Sequence, residues 1–135
     1  MEKILYNNNG DPVAYVAMDY DGTIYLWEGF PAAYIFDDVH VYGINGRHLG
    51  WFIADILYDP DGERIGFTYT TCPVSISKPP VKGKKFPKDE IRPRWQRPAQ
   101  PVLSFGVSRR DLADLLKEGR VIWQFDKAST EGSSA

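Results

Sequence analysis

The chain has 135 residues, 43% of them apolar and 14% aromatic, with a formal net charge of -2. That length suits one domain with a real core, without help from metal or disulfides. One cysteine, Cys72, excludes an intrachain disulfide, and no window approaches the ~18 apolar residues of a membrane span.

The first element is a pattern repeated four times within residues 1–72: LYNNNGDPVAYV, IYLWEGFPAAYI, VYGINGRHLGWF and LYDPDGERIGFT. Each copy has a tyrosine (Tyr6, Tyr25, Tyr42, Tyr58) and, four residues later, a glycine (Gly10, Gly29, Gly46, Gly62). Five residues further comes an aromatic (Tyr15, Tyr34, Trp51, Phe67), preceded by a small residue (Ala14, Ala33, Gly50, Gly66). Each copy reads as a β-hairpin with the glycine at its tip. Asp59-Pro60-Asp61-Gly62 is the clearest turn, because Asp accepts from the turn backbone, Pro presets φ and Gly takes the left-handed conformation. Further turns at Asp19-Tyr20-Asp21-Gly22, Asp37-Asp38 and Ala54-Asp55 join the copies. The tyrosines are 19, 17 and 16 residues apart, which leaves room for a hairpin and a turn but not for a helix as well. One hairpin is marginal alone, so the four must share a core. The small residues imply close approach by backbone or a ring.

Residues 73–101 form the second element. They carry seven of the ten prolines and a net charge of +6, against -8 for residues 1–72. Such proline density excludes an internal strand or a helix and predicts an extended arm. Val74, Ile76, Val81, Phe86, Ile91 and Trp95 are spaced like anchors, so Phe86 and Trp95 are expected to be buried. The third element is residues 102–127: a strand at Val102–Val107, a helix capped by Ser108 and ended by Gly119, and a closing strand at Val121–Phe125. Residues 128–135 read as a flexible tail. The fold class is therefore mainly β: four pseudo-repeated hairpins in a pseudo-fourfold meander, with a proline-rich arm and one short C-terminal helix.

The runs TIYLWEGFPAAYI and HVYGINGRHLGWF, with the Tyr-to-Gly steps, resemble the four-fold beta flower domain family over residues 4–68. The resemblance implies four β petals. The family carries no established activity, so it lends no catalytic residue.

Arg47-His48 suits anion binding or acid–base work, yet a turn-flanking histidine with ordinary hydrogen bonds explains it as well. His40, His48 and Cys72 do not make a zinc set, and the Asp-rich turns lack the glutamate of a calcium loop. There is no phosphate-cradling glycine loop and no GxSxG or HExxH. No catalytic residue, metal ligand or cofactor site is assigned. The candidate interaction residues are Arg47, His48, Phe86, Arg94 and Trp95.

The leading expectation is a non-enzymatic, cytoplasmic protein-interaction or structural domain. It would self-associate as a homodimer by arm exchange, with a further protein partner possible. One alternative is a small hydrolase or nuclease using His48 and nearby aspartates at the repeat junctions. Another is weak nucleic-acid binding through the basic arm, which the acidic repeats argue against.

Overall fold

A computed structural model describes residues 2–17 and 22–121. Eight strands follow in chain order: β1 (Glu2–Tyr6), β2 (Pro12–Ala17), β3 (Thr23–Leu26), β4 (Pro31–Phe36), β5 (His40–Gly43), β6 (His48–Ile53), β7 (Ile56–Tyr58) and β8 (Arg64–Phe67). They form an antiparallel barrel in sequential order, closed by β8 returning to β1.

The four copies are alike in backbone detail. The amides of Gly10, Gly29, Gly46 and Gly62 each donate to the carbonyl three residues earlier, at 2.8–3.0 Å. The register shifts just before each repeat tyrosine, at Leu5/Tyr6, Ile24/Tyr25, Val41/Tyr42 and Leu57/Tyr58. A tight turn followed by a left-handed residue and a bulge is a common hairpin connection, and here it fixes the slot for glycine. Gly10 and Gly62 have φ of 82° and 85°. Between copies, Ala54 and Asp55 both take positive φ, 52° and 63°, as a two-residue type I′ turn requires.

Strand alternation sends one set of side chains inward. Leu5, Ala14, Val16, Ile24, Leu26, Ala33, Val41, Leu49, Leu57 and Ile65 share one core cluster with Leu112, Leu115 and Leu116 of α1 (Leu112–Lys117). Gly66 makes room for that helix, since a Cβ there would meet Leu112 at 3.2 Å, while a Cβ at Gly50 would collide with the Tyr58 carbonyl. The repeat aromatics point outward and meet across the junctions between hairpins. Tyr15 faces Tyr25, Tyr34 faces Tyr42, Trp51 faces Tyr58, and Tyr6 faces Phe67 where the ring closes. The closing aromatic of each copy therefore partners the tyrosine of the next.

The proline-rich arm encircles this barrel and touches the four hairpin tips in turn. The amides of Ser77, Phe86, Trp95 and Ser104 donate to the carbonyls of Gly10, Gly29, Gly46 and Gly62, at 2.8, 3.0, 2.8 and 3.0 Å. These four donors are nine residues apart. A Cβ on any of the four glycines would collide with the arm carbonyl of Ser75, Lys84, Pro93 or Val102, again nine apart. Each tip glycine thus meets two demands, positive φ and close approach of another backbone. The prolines fall between the donor positions, so none removes a bond the arm needs.

Three expectations require correction. Phe86 and Trp95 are not buried: they are 46% and 59% exposed. The arm is held chiefly by backbone bonds, so its aromatics are not obliged to bury. Val102–Val107 is not a strand. Val107 makes a single parallel bridge to Arg64, while Val102 and Phe105 are 91% and 90% exposed. Ser108 does not cap the helix. Asp111 does, accepting from the Asp114 amide at 3.2 Å, while Ser108 turns to Asp59. The closing strand expected to Phe125, the tail and most of the turn at Asp19–Gly22 lie outside the described residues.

Candidate functional site: a histidine pair beneath the arm

The third hairpin carries histidine where its sister copies do not. His48 follows Gly46 by two residues, a slot held elsewhere by Pro12, Pro31 and Arg64. His40 precedes Tyr42 by two, a slot held elsewhere by Ile4, Thr23 and Ile56. The fold needs no imidazole at either place. Antiparallel pairing of β5 with β6 brings both histidines to the outer face, with His48 opposite Tyr42. His40 Nδ1 lies 3.1 Å from His48 Nε2. His48 also packs edge-on against Tyr42 and Trp51, with centroids 4.9 and 4.8 Å away.

The arm supplies the cations. Arg97 Nη1 lies 2.7 Å from His40 Nε2. A guanidinium only donates, so His40 Nε2 must be the bare, accepting nitrogen. The His40 proton is then on Nδ1 and donates to His48 Nε2, and the His48 proton is on Nδ1. Both rings are neutral. Burial lowers the His48 pKa to about 4, with help from His40 and Arg97. His40 is lowered by burial and Arg97, partly opposed by Asp37. The same tautomers disfavour a metal between the rings. Ligation through His40 Nδ1 would put the proton on Nε2, facing the donor of Arg97. Among the described residues no group of three His, Cys, Asp or Glu side chains is placed to hold a metal ion.

Four of the five candidate residues converge here. Arg94 stacks on Phe36, its Cζ 3.8 Å from the ring centroid, and donates to Tyr34 Oη at 3.2 Å. Arg47 lies 5.8 Å from the centroid of Trp95 and forms an ion pair with Glu118 at 3.6 Å. Trp95 is pinned by its backbone, with its ring largely in solvent. Phe86 lies apart, on the second hairpin, stacked on Phe30 at 4.3 Å between centroids.

His40, Arg97 and Phe36 complete the site, though none is among the five candidates. For Arg97 a partial signal is the recurrence of basic side chains nine residues apart in the arm. Lys88 reaches Thr23 as Arg97 reaches His40, and Lys85 lies over Tyr15 and Tyr25 as Arg94 lies over Phe36 and Tyr42. In that second quarter Lys82 and Lys85 also bond Glu2, whose pKa falls chiefly through the Lys82 bond. The aspartates belong to turn chemistry: Asp59 Oδ1 accepts from the amides of Asp61 and Glu63 at 2.9 and 3.0 Å. Cys72 is half-buried, its Sγ 3.9 Å from the Asn7 carbonyl.

The family model described as 4-fold beta flower protein matches residues 3–116. The chain belongs to that family. The match runs past residue 68, the end of the sequence resemblance, through the arm and α1. The arm that girdles the barrel is thus part of the family unit. No curated protein and no solved structure matches the chain.

Proposed function

We propose that this beta flower protein is a non-enzymatic interaction domain that binds an acidic protein surface bearing an apolar side chain. The observation that carries the reading is the pairing at the third hairpin. The two imidazoles engage each other, and His40 also engages Arg97, while Trp95 beside them is 59% exposed. A hydrolase or nuclease using His48 as a base would want a water or a substrate hydroxyl at its bare nitrogen, and that nitrogen accepts from His40 instead. The exposed indole, flanked by Arg47 and by Arg92, Arg94 and Arg97 of the arm, suits an aromatic anchor within a cationic rim.

A second copy is one such partner. Its turns present exposed Asp37 and Asp38, and Asp55 is partly exposed. Contact between copies through these surfaces needs no exchange of arms. Light scattering against concentration tests the reading. A mass approaching twice 15.3 kDa that returns to 15.3 kDa in Trp95→Ser supports self-association through this face. A constant 15.3 kDa species redirects the search to acidic partner proteins. Tight, salt-sensitive binding of a single-stranded oligonucleotide at Trp95 would replace the protein reading with nucleic acid.

A further inference from the structure

The fourfold scheme fails at one junction. After each aromatic pair the ladder normally runs on. Tyr15↔Tyr25 is followed by Val16↔Ile24, Tyr34↔Tyr42 by Ile35↔Val41 and Phe36↔His40, and Trp51↔Tyr58 by Phe52↔Leu57 and Ile53↔Ile56. Where β8 meets β1, the described pairing is Tyr6↔Phe67 alone. Beyond Phe67 the chain turns away. The Thr68 amide donates to Thr71 Oγ1 at 2.9 Å, and the amides of Thr71 and Cys72 return to the Thr68 carbonyl at 3.2 and 3.1 Å. Thr71 Oγ1 donates to the Asp55 carbonyl at 2.8 Å, fixing this turn to the β6–β7 connection.

The diversion leaves a space. A cavity of about 550 Å³ lies between residues 2–4 and Tyr6 of β1 on one wall and residues 68–70 with Asp55 on the other. Its walls are largely apolar, and its size is within the ~300–1,000 Å³ of ligand pockets. The backbone groups of an antiparallel strand alternate between its two neighbours, so part of β1 points toward the missing one. Lys3 and Asp55, at 2.8 Å and both partly exposed, tie the two walls together. A pair so exposed contributes little and yields readily.

We propose that this cavity is a strand-addition site that takes an extended, apolar peptide segment in place of the missing continuation of β8. The occupant's chemistry comes from the other quarters. There the same place is filled by extended chain, Val16-Ala17, Ile35-Phe36 and Phe52-Ile53. About three residues at ~3.3 Å each would restore the ladder. Main-chain bonds to β1 would supply affinity, and the apolar walls would select alternate side chains. The cavity's lining shares no residue with the histidine site, and the proposal does not depend on the function proposed above.

The test uses the full chain and a capped synthetic peptide with the sequence of residues 33–38, Ala-Tyr-Ile-Phe-Asp-Asp. Amide NMR should show shifts confined to residues 2–6 and 68–70, with slowed hydrogen exchange in β1. N-methylation of alternate peptide amides should weaken binding by about tenfold or more. Thr70→Trp, an exposed turn position, should fill the cavity and abolish the shifts. Tyr69→Ser supplies a second lining variant that should weaken binding if Thr70→Trp disturbs the fold. Three results overturn the proposal: no shifts at millimolar peptide, equal binding of the N-methylated peptide, or concentration-dependent shifts at residues 2–4 without peptide. The second would mean an apolar small-molecule pocket, and the third an edge occupied by a second copy.

Discussion

Ser108 Oγ donates to Asp59 Oδ2 at 2.5 Å, with both residues almost wholly buried. The other oxygen of Asp59 holds the β7–β8 tip, so one carboxylate shapes the fourth hairpin and fastens the end of the arm to it. The Ser108 amide adds a 2.7 Å bond to the Arg64 carbonyl. Ser108→Ala leaves the carboxylate short of a partner and should cost about 1.5–3 kcal/mol in urea denaturation. Asp111→Ala removes the true helix cap and should cost about 1 kcal/mol. A larger loss at Asp111 than at Ser108 would reverse this assignment.

Glycine at the hairpin tips answers to the arm as well as to the turn. Gly62→Val should cost roughly 1–3 kcal/mol from backbone strain. It should also push the Val102 carbonyl away, exposing residues 98–106 to protease. Gly10→Val should act alike near Ser75. An unchanged denaturation midpoint with normal proteolysis would show that the arm does not seat on the tips.

The histidine pair makes stability depend on pH. The folded His48 pKa is about 4 against an ordinary 6.5. Between those values the unfolded chain binds a proton that the folded chain does not. Stability should therefore fall as pH drops from about 6.5 toward 4 and level off below, with His40 contributing in the same direction. Glu2, whose carboxyl is depressed, loses its contribution at still lower pH. Thermal melts from pH 7.5 to 4.5 should show this slope, and His48→Asn should reduce it.

Ala54 holds a left-handed φ of 52° at an exposed turn position. Such a conformation costs an L-residue with a Cβ ~1–2 kcal/mol, and asparagine tolerates it better. Ala54→Asn should stabilise the protein by about 0.5–1 kcal/mol, read as a raised melting temperature. A destabilised variant would argue against the type I′ turn.

The barrel was legible because its period is written in large letters: Tyr, Gly and an aromatic recur in every copy, each for a backbone or packing reason. That the aromatics pair between copies rather than within them, Tyr15 with Tyr25, follows from register, which spacing alone does not set. The arm's period was hidden because its anchors are amides and carbonyls, which any residue but proline supplies. Ser77, Phe86, Trp95 and Ser104 share a role without sharing a side chain. The candidate residues Arg47, His48, Arg94 and Trp95 were chosen by residue type and chain neighbourhood. Their convergence depends on the arm's path around the barrel, which composition does not encode. Ser108 resembles a helix cap because Ser before an apolar run usually is one, but the helix starts at Leu112 with Asp111 as its cap, and the Ser108 hydroxyl accepts from the Arg110 amide while donating to Asp59.

Two rulers of different pitch are laid together in this molecule. The barrel advances 16 to 19 residues per petal, the girdle nine, and they coincide at four marks. A segment without regular secondary structure is thereby as intolerant of length change as a strand. Losing one residue between Phe86 and Trp95 would place every later mark out of step, or stretch one quarter to absorb the error. Insertions and deletions belong before Ser75 or after Ser104, and between those residues the coil behaves as a measured part.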